Sequence, residues 1–217
     1  MSETREPTRL MLMLEAAEGA SERLAAALGA ADVASVVITP PPGHTLAAGD
    51  VQALVLMSQK SGAAALIGDD ARLARTIKAD GVHVGVSDNA EAAYGEAREI
   101  MGTRGIVGID AGRSRHDAMQ AGEAGAEYVG FGIPAHVKER EAAIERRREL
   151  VGWWAEIFEI PCVAFDVDTP EEAHVLALQG ADFIAVRLVG GVSPGDVREM
   201  VASFAAAVAD AAGPGAA

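Results

Sequence analysis

The sequence predicts an α/β protein, a single (β/α)8 barrel of the TIM type, from three observations. Short apolar, β-branched runs alternate with longer helical runs along the chain, the pattern of parallel strands joined by helical crossovers. The apolar runs count to eight. An Ala–acid pair recurs ahead of three of them, as Ala79-Asp80, Ala126-Glu127 and Ala181-Asp182. A doubly wound open sheet is the competing architecture. No Gly-x-Gly-x-x-Gly turn follows the first strand, however, and eight even units close naturally into a barrel.

Each element has its own signal. The first strand is expected over residues 10–14, with a helix from about Ser21, a residue type suited to an N-cap. The second strand, 33–38, is closed by Thr39-Pro40-Pro41-Pro42-Gly43, because proline lacks the N–H that a strand or helix interior uses. Its helix spans about 47–60. The third strand, 63–67, leads to a helix from Asp70, and the fourth, 81–84, to a helix over about 89–101. The fifth, 105–109, is followed by a helix that Ser114 opens. The sixth, 128–131, precedes a long helical stretch that ends before Pro161. After the seventh strand, 162–165, Thr169-Pro170 reads as an N-cap and first helical position. The eighth strand is 183–186, and Pro194 starts a last helix that frays into Gly213-Pro214-Gly215. The barrel domain is thus expected over 10–211, with flexible tails at 1–9 and 212–217. Asp80, Glu127 and Asp182 stand where a helix hands over to an even-numbered strand. That is the N-terminal face of a barrel, where a stabilising role is expected.

Composition narrows the partners. With 217 residues, half of them hydrophobic, the chain can bury one sizeable core. Its formal net charge of −14 opposes binding to a nucleic-acid backbone, which needs a basic face. The run Glu145-Arg146-Arg147-Arg148-Glu149 is flanked by acids and reads as a solvated helix face. No stretch approaches the ~20 apolar residues of a membrane span, and no apolar signal core follows the polar first residues. Cys162 is alone, which excludes an internal disulfide and fits a reducing compartment. The expectation is a cytoplasmic protein that takes a small-molecule ligand, with no nucleic-acid or membrane partner, and with a homo-oligomer left open.

Working residues of a (β/α)8 barrel gather at the C-terminal ends of its strands. Here those positions are acidic: Glu15 after the first strand, Asp69 and Asp70 after the third, Asp88 after the fourth, Asp110 after the fifth, Asp166 and Asp168 after the seventh. Carboxylates converging on one mouth repel one another unless a cation or protons offset them, and oxygen-only ligands suit Mg²⁺. Asp70, Asp88 and Asp168 also stand just before helices and can serve as caps. Lys138 and Arg140, with His136, follow the sixth strand and are the cations best placed for a phosphate. Arg113, Arg115 and His116 sit after the fifth strand, where exposure to solvent is the default. His83 lies within a strand and reads as a hydrogen-bonded core histidine. Trp153 and Trp154 read as packing residues.

Three segments carry a family resemblance. Ile67-Gly68-Asp69-Asp70, then Lys78-Ala79-Asp80-Gly81-Val82-His83-Val84-Gly85 with Asp88, and Gly125-Ala126-Glu127-Tyr128-Val129-Gly130-Phe131-Gly132 resemble the thiamine phosphate synthase pattern. A closely similar branch contains thiazole tautomerases. The resemblance implies an enzyme that joins a pyrimidine diphosphate to a thiazole phosphate and releases pyrophosphate. It implies Mg²⁺ on Asp69 and Asp88, with Lys138 or Arg140 assisting the leaving group. The substrate-binding candidates are Asp70, Asp110, Lys138, Arg140, Asp166 and Asp168.

The sequence also departs from the family pattern. Its Gln-x-Arg-x-Lys run after the second strand is here Ile38-Thr39-Pro40-Pro41-Pro42, and its asparagine before the first aspartate is Gly68. Its serine after the fifth strand is Asp110, and its Thr-x-Thr-Lys loop is Val137-Lys138-Glu139-Arg140. Its glycine pair after the seventh strand is Asp166-Val167-Asp168. The tautomerase histidine after the fifth strand is also missing at its matching place. These changes trade phosphate donors for carboxylates, which leaves a second reading: a catalytically degenerate relative that binds a metal or a cationic, thiamine-like ligand.

Overall fold

The computed structural model describes residues 6–87, 89–133 and 136–213. Asp88 and the outer parts of both expected tails lie outside the described residues. Among the described residues, eight parallel strands close into a barrel in chain order. They are β1 (Arg9–Glu15), β2 (Val33–Thr39), β3 (Ala64–Gly68), β4 (Gly81–Val84), β5 (Ile106–Asp110), β6 (Val129–Phe131), β7 (Cys162–Ala164) and β8 (Phe183–Leu188). The helices outside them are α1 (Ala20–Leu28), α2 (Ala48–Lys60), α3 (Ala71–Thr76), α4 (Ala90–Met101), α5 (Arg115–Glu123), α6 (Arg140–Ile157), α7 (Pro170–Leu178) and α8 (Pro194–Ala212). None is long and apolar enough to cross a membrane. The closed sheet excludes the doubly wound alternative.

The observed strands match the expected ones to within a residue at either end, except β8. That strand continues past Val186 because β1 offers it partners there, Met13 for Arg187 and Leu14 for Leu188. A second difference lies at α1. Ser21 is not its N-cap; the helix begins at Ala20, preceded by Gly19 in the left-handed region (φ 74). The turn is held instead by the buried Arg23, whose guanidinium donates to the carbonyls of Glu18 (2.6 Å) and Glu15 (3.2 Å). Ser114 and Thr169 do cap their helices, accepting from the Asp117 and Glu172 amides respectively.

Alternation along the strands builds two apolar layers. Leu10, Leu12 and Leu14 of β1, and Ile184, Val186 and Leu188 of β8, face the helices and join one cluster with Leu24, Val51, Leu150 and Val197. Met11, Val37, Leu66, Tyr128, Val163, Phe165 and Ala185 fill the barrel interior. Glycine makes room for the interior rings. A Cβ on Gly108 would lie 2.0 Å from the Tyr128 ring, and one on Gly130 would lie 2.3 Å from the Phe165 ring. His83 completes this layer, packed on Phe165 with ring centroids 4.9 Å apart, and its Nδ1 shares a 2.9 Å hydrogen bond with the Tyr128 hydroxyl. Burial lowers the His83 pKa to about 4, so the ring is neutral at physiological pH. It is the hydrogen-bonded core histidine the sequence suggested.

The recurring Ala–acid pairs close the opposite end of the barrel. Each carboxylate accepts the backbone N–H near the start of the preceding odd strand: Asp80 from Ala65 (2.8 Å), Glu127 from Val107 (2.7 Å), Asp182 from Cys162 (2.7 Å). Each acid's own amide donates to the carbonyl of that same residue. The pairing satisfies backbone groups where a strand begins and fixes its register.

The Arg146-Arg147-Arg148 run is only partly the solvated face it resembled. Arg146 and Arg148 pair at the surface with Glu149 and Glu145. Arg147 is fully buried and donates to the Phe165 carbonyl and the Glu172 carboxylate, tying α6 to the end of β7 and to α7. An arginine stem packs well inside when its head finds partners. The two tryptophans pack as expected. Trp154 is buried, stacks on Phe158 and donates to the Ile160 carbonyl at 2.7 Å.

Candidate functional site

The C-terminal ends of the strands open into a cavity of about 1150 Å³. Asp110, Ile133, Arg140, Asp166, Asp168 and Arg187 line its mouth, and it extends between α4 and α5 past Tyr94 and Gln120. Strand parity explains the inward groups. Ile106 of β5, and Phe183 and Ala185 of β8, belong to or pack on the interior layer, so Asp110 and Arg187 point inward one layer higher. Met13, the β1 partner of Arg187, also lines the cavity.

Asp110 and Asp166 are brought close by what Gly132 lacks. A Cβ on Gly132 would lie 2.7 Å from Oδ2 of Asp110 and 2.9 Å from Oδ2 of Asp166. The half-buried Asp110 accepts the Gly112 amide through Oδ1 at 2.7 Å. Burial pushes its pKa up to about 6, and the nearby Asp166 adds to the rise, while the Gly112 and Gly132 amides oppose it. Its carboxyl therefore changes charge near pH 6. Asp166 follows β7 in the left-handed region (φ 56). That conformation lets its carboxylate accept the Ile133 amide (2.9 Å) through one oxygen and Arg187 (2.6 Å) through the other.

Asp168 pairs across the same loop with Arg140 at 2.9 Å, at the start of α6. Two arginine–aspartate pairs thus flank the β7–α7 loop. Arg187 is the member that the sequence reading missed. It falls one residue past the expected end of the eighth strand, and the extension of β8 to Leu188, with inward parity at Arg187, turns it to the cavity.

The remaining expected residues lie elsewhere. Asp70 caps α3, accepting the Leu73 amide at 2.8 Å, which is its cap role. Asp69, also left-handed (φ 56), accepts the Gly85 amide through Oδ1 at 2.8 Å. Both line a separate cavity of about 250 Å³ between α3 and α4. The strip from Gly85 to Ser87 joins the two places, since Val86 and Ser87 line the larger cavity. Asp88 lies outside the described residues. Lys138 is exposed and lines neither cavity. Arg115 stacks over Trp153 at 4.7 Å rather than turning to the mouth. Among the described residues, no group of three or more His, Cys, Asp or Glu is arranged to hold a metal ion.

Comparison with known proteins points to one family. A family model described as thiamine monophosphate synthase matches residues 22–189. The thiamine-phosphate synthase of Erythrobacter litoralis is 43% identical over 148 residues, covering 67% of this chain and 67% of that protein. The thiamine-phosphate synthase of Rhodospirillum centenum is 42% identical over 174 residues, covering 78% of this chain and 80% of that protein. Among solved structures, the thiamine phosphate pyrophosphorylase of Pyrococcus furiosus superposes with a TM-score of 0.72 at 22% identity. It covers 93% of this chain and 96% of that one, and at this identity it shows the shared fold.

Proposed function

As the chain belongs to the thiamine monophosphate synthase family, we propose that it joins a pyrimidine diphosphate to a thiazole phosphate in thiamine biosynthesis, releasing pyrophosphate at the barrel mouth. The observation that carries this reading is the family match itself, which spans residues 22–189 and so covers the ends of β5, β7 and β8 that bring Asp110, Asp166 and Arg187 to the large cavity. In the reaction, the bond from the pyrimidine's methylene carbon to the diphosphate oxygen breaks. The thiazole nitrogen supplies the electron pair for the new C–N bond, and pyrophosphate leaves with the old pair.

The chain's own groups suit the two ends of that reaction differently. A carboxyl held close to its ionisation point can accept from an amine when ionised and donate to a ring nitrogen when protonated. On this reading Asp110, with Asp166 beside it, faces the nitrogen-rich pyrimidine rather than a phosphate. Arg140 assists the departing pyrophosphate.

Mg²⁺ is the cofactor this reading implies. Asp69 fits it as a hard oxygen donor: one oxygen is fixed by the Gly85 amide, and the exposed side chain offers the other. We assign Asp69 and Asp88, three residues past Gly85, as its ligands. Bound there, the ion would neutralise charge on the diphosphate. We also place the protein in the cytoplasm, a reading supported by the lone, buried Cys162.

The close approach of Asp110 and Asp166 also favours a second reading, a relative that binds a cationic, thiamine-like ligand without turnover. Expression in a bacterium lacking its own synthase tests the two. The synthase reading predicts growth without thiamine; a folded, expressed protein that gives no growth would point to the binding relative.

A further inference from the structure

We infer that Arg187, together with Arg140, forms a phosphoryl-binding pair in which each arginine is stored on an aspartate until substrate arrives. The inference rests on the synthase reading, under which both substrates carry phosphate. Among the described residues, the arginines that line the large cavity are these two, and no lysine lines it. A phosphoryl group entering the mouth has to find its strong donors in this pair. His136 is the other nitrogen base on the wall.

The geometry suits the role. Arg187 is the last inward-facing residue of β8, and Arg140 stands at the start of α6, so they approach the β7–α7 loop from opposite sides. Each donates one terminal N–H to its aspartate, Arg187 to Asp166 at 2.6 Å and Arg140 to Asp168 at 2.9 Å. A guanidinium carries five N–H donors, so most remain for a ligand. The side chains of Arg187 and Arg140 are 62% and 40% exposed, so those donors are open to the cavity. The aspartates hold the long side chains in place, which lowers the ordering cost of binding. They stand where the family pattern has a glycine pair.

The test uses the full chain and inorganic pyrophosphate as the probe, with Mg²⁺ present, by calorimetry. Arg187→Ala should weaken pyrophosphate binding about 10- to 100-fold, the range for loss of a charge-assisted hydrogen bond. Arg187→Lys should restore part of it, and Arg146→Ala, on the outer face of α6, should leave it unchanged. Steady-state kinetics then separates the sources. A raised KM for the pyrimidine diphosphate alone places that substrate's phosphate on Arg187, and a raised KM for the thiazole phosphate alone places the other. Unchanged pyrophosphate binding and unchanged KM values for both substrates in folded Arg187→Ala protein would overturn the inference. Pyrophosphate binding that depends on Arg187 in a wild-type protein without turnover would keep the anion pair and sink the synthase reading.

Discussion

Asp110 and Asp166 meet over the bare face of Gly132, so close that a single added methyl would touch an oxygen of each, at 2.7 and 2.9 Å. The two carboxyls come from different strand ends, β5 and β7, and Gly132, the residue after β6, is what lets both turn inward. Gly132→Ala should therefore push both groups out of place. We expect a stability loss of about 1–3 kcal/mol, the usual cost of overpacking, and a loss of turnover larger than that stability loss explains. Melting curves and kcat measured on the same preparation check both.

The raised pKa of Asp110 makes a prediction about pH. Its unfolded value is near 3.8 and its folded value about 6, so the native state binds the proton more tightly. Below about pH 4 both states are protonated and the group contributes nothing. Between about pH 4 and 6 the unfolded state ionises while the folded state keeps its proton, so stability falls by at most about 3 kcal/mol and levels off above pH 6. Asp110→Asn should melt higher than wild type at pH 8 and like wild type near pH 4. A variant that melts lower at pH 8 would show that the ionised carboxylate is a stabilising partner.

The Ala–acid repeats predict a purely structural effect. Asp80→Ala leaves the Ala65 amide without its partner at the far end of the barrel from the cavity, while Gln59 keeps the Lys78 carbonyl. The expected cost is about 1–3 kcal/mol, or roughly 3–10 °C in Tm. The KM values should not change.

Arg147 predicts a larger loss. Replacing it with Met keeps apolar volume but leaves the Phe165 carbonyl without its donor and the Glu172 carboxylate without its cation, held by the Asp168 amide alone. Breaking one side of a buried pair typically costs about 3–5 kcal/mol. Denaturant unfolding should show it, and the double variant Arg147→Met, Glu172→Gln should recover part of the loss.

Much of this was legible in the sequence for a physical reason. Strand and helix periods are local, so eight alternating units, and the caps at Ser114, Thr169 and Asp70, could be read directly. The Ala–acid repeat pointed to the right end of the barrel because helix-to-strand handover is also local. What escaped reading depends on which way a residue points. Arg187 falls one residue past the expected eighth strand, and Arg147 resembles its two surface neighbours in sequence. Only the inward parity of β8 and the rotation of α6 set them apart. The grouping of Asp110, Asp166, Asp168 and Arg140, apart from Asp69 and Asp70, arises from which strands become neighbours at the mouth, and no spacing in the chain encodes that.

The most direct test of the central claim is pyrophosphate release by the purified full chain given the pyrimidine diphosphate, the thiazole phosphate and Mg²⁺. The account predicts release that requires both substrates, matches the thiamine phosphate formed one for one, and disappears in Asp69→Ala. A folded protein that releases no pyrophosphate at high enzyme concentration would contradict it.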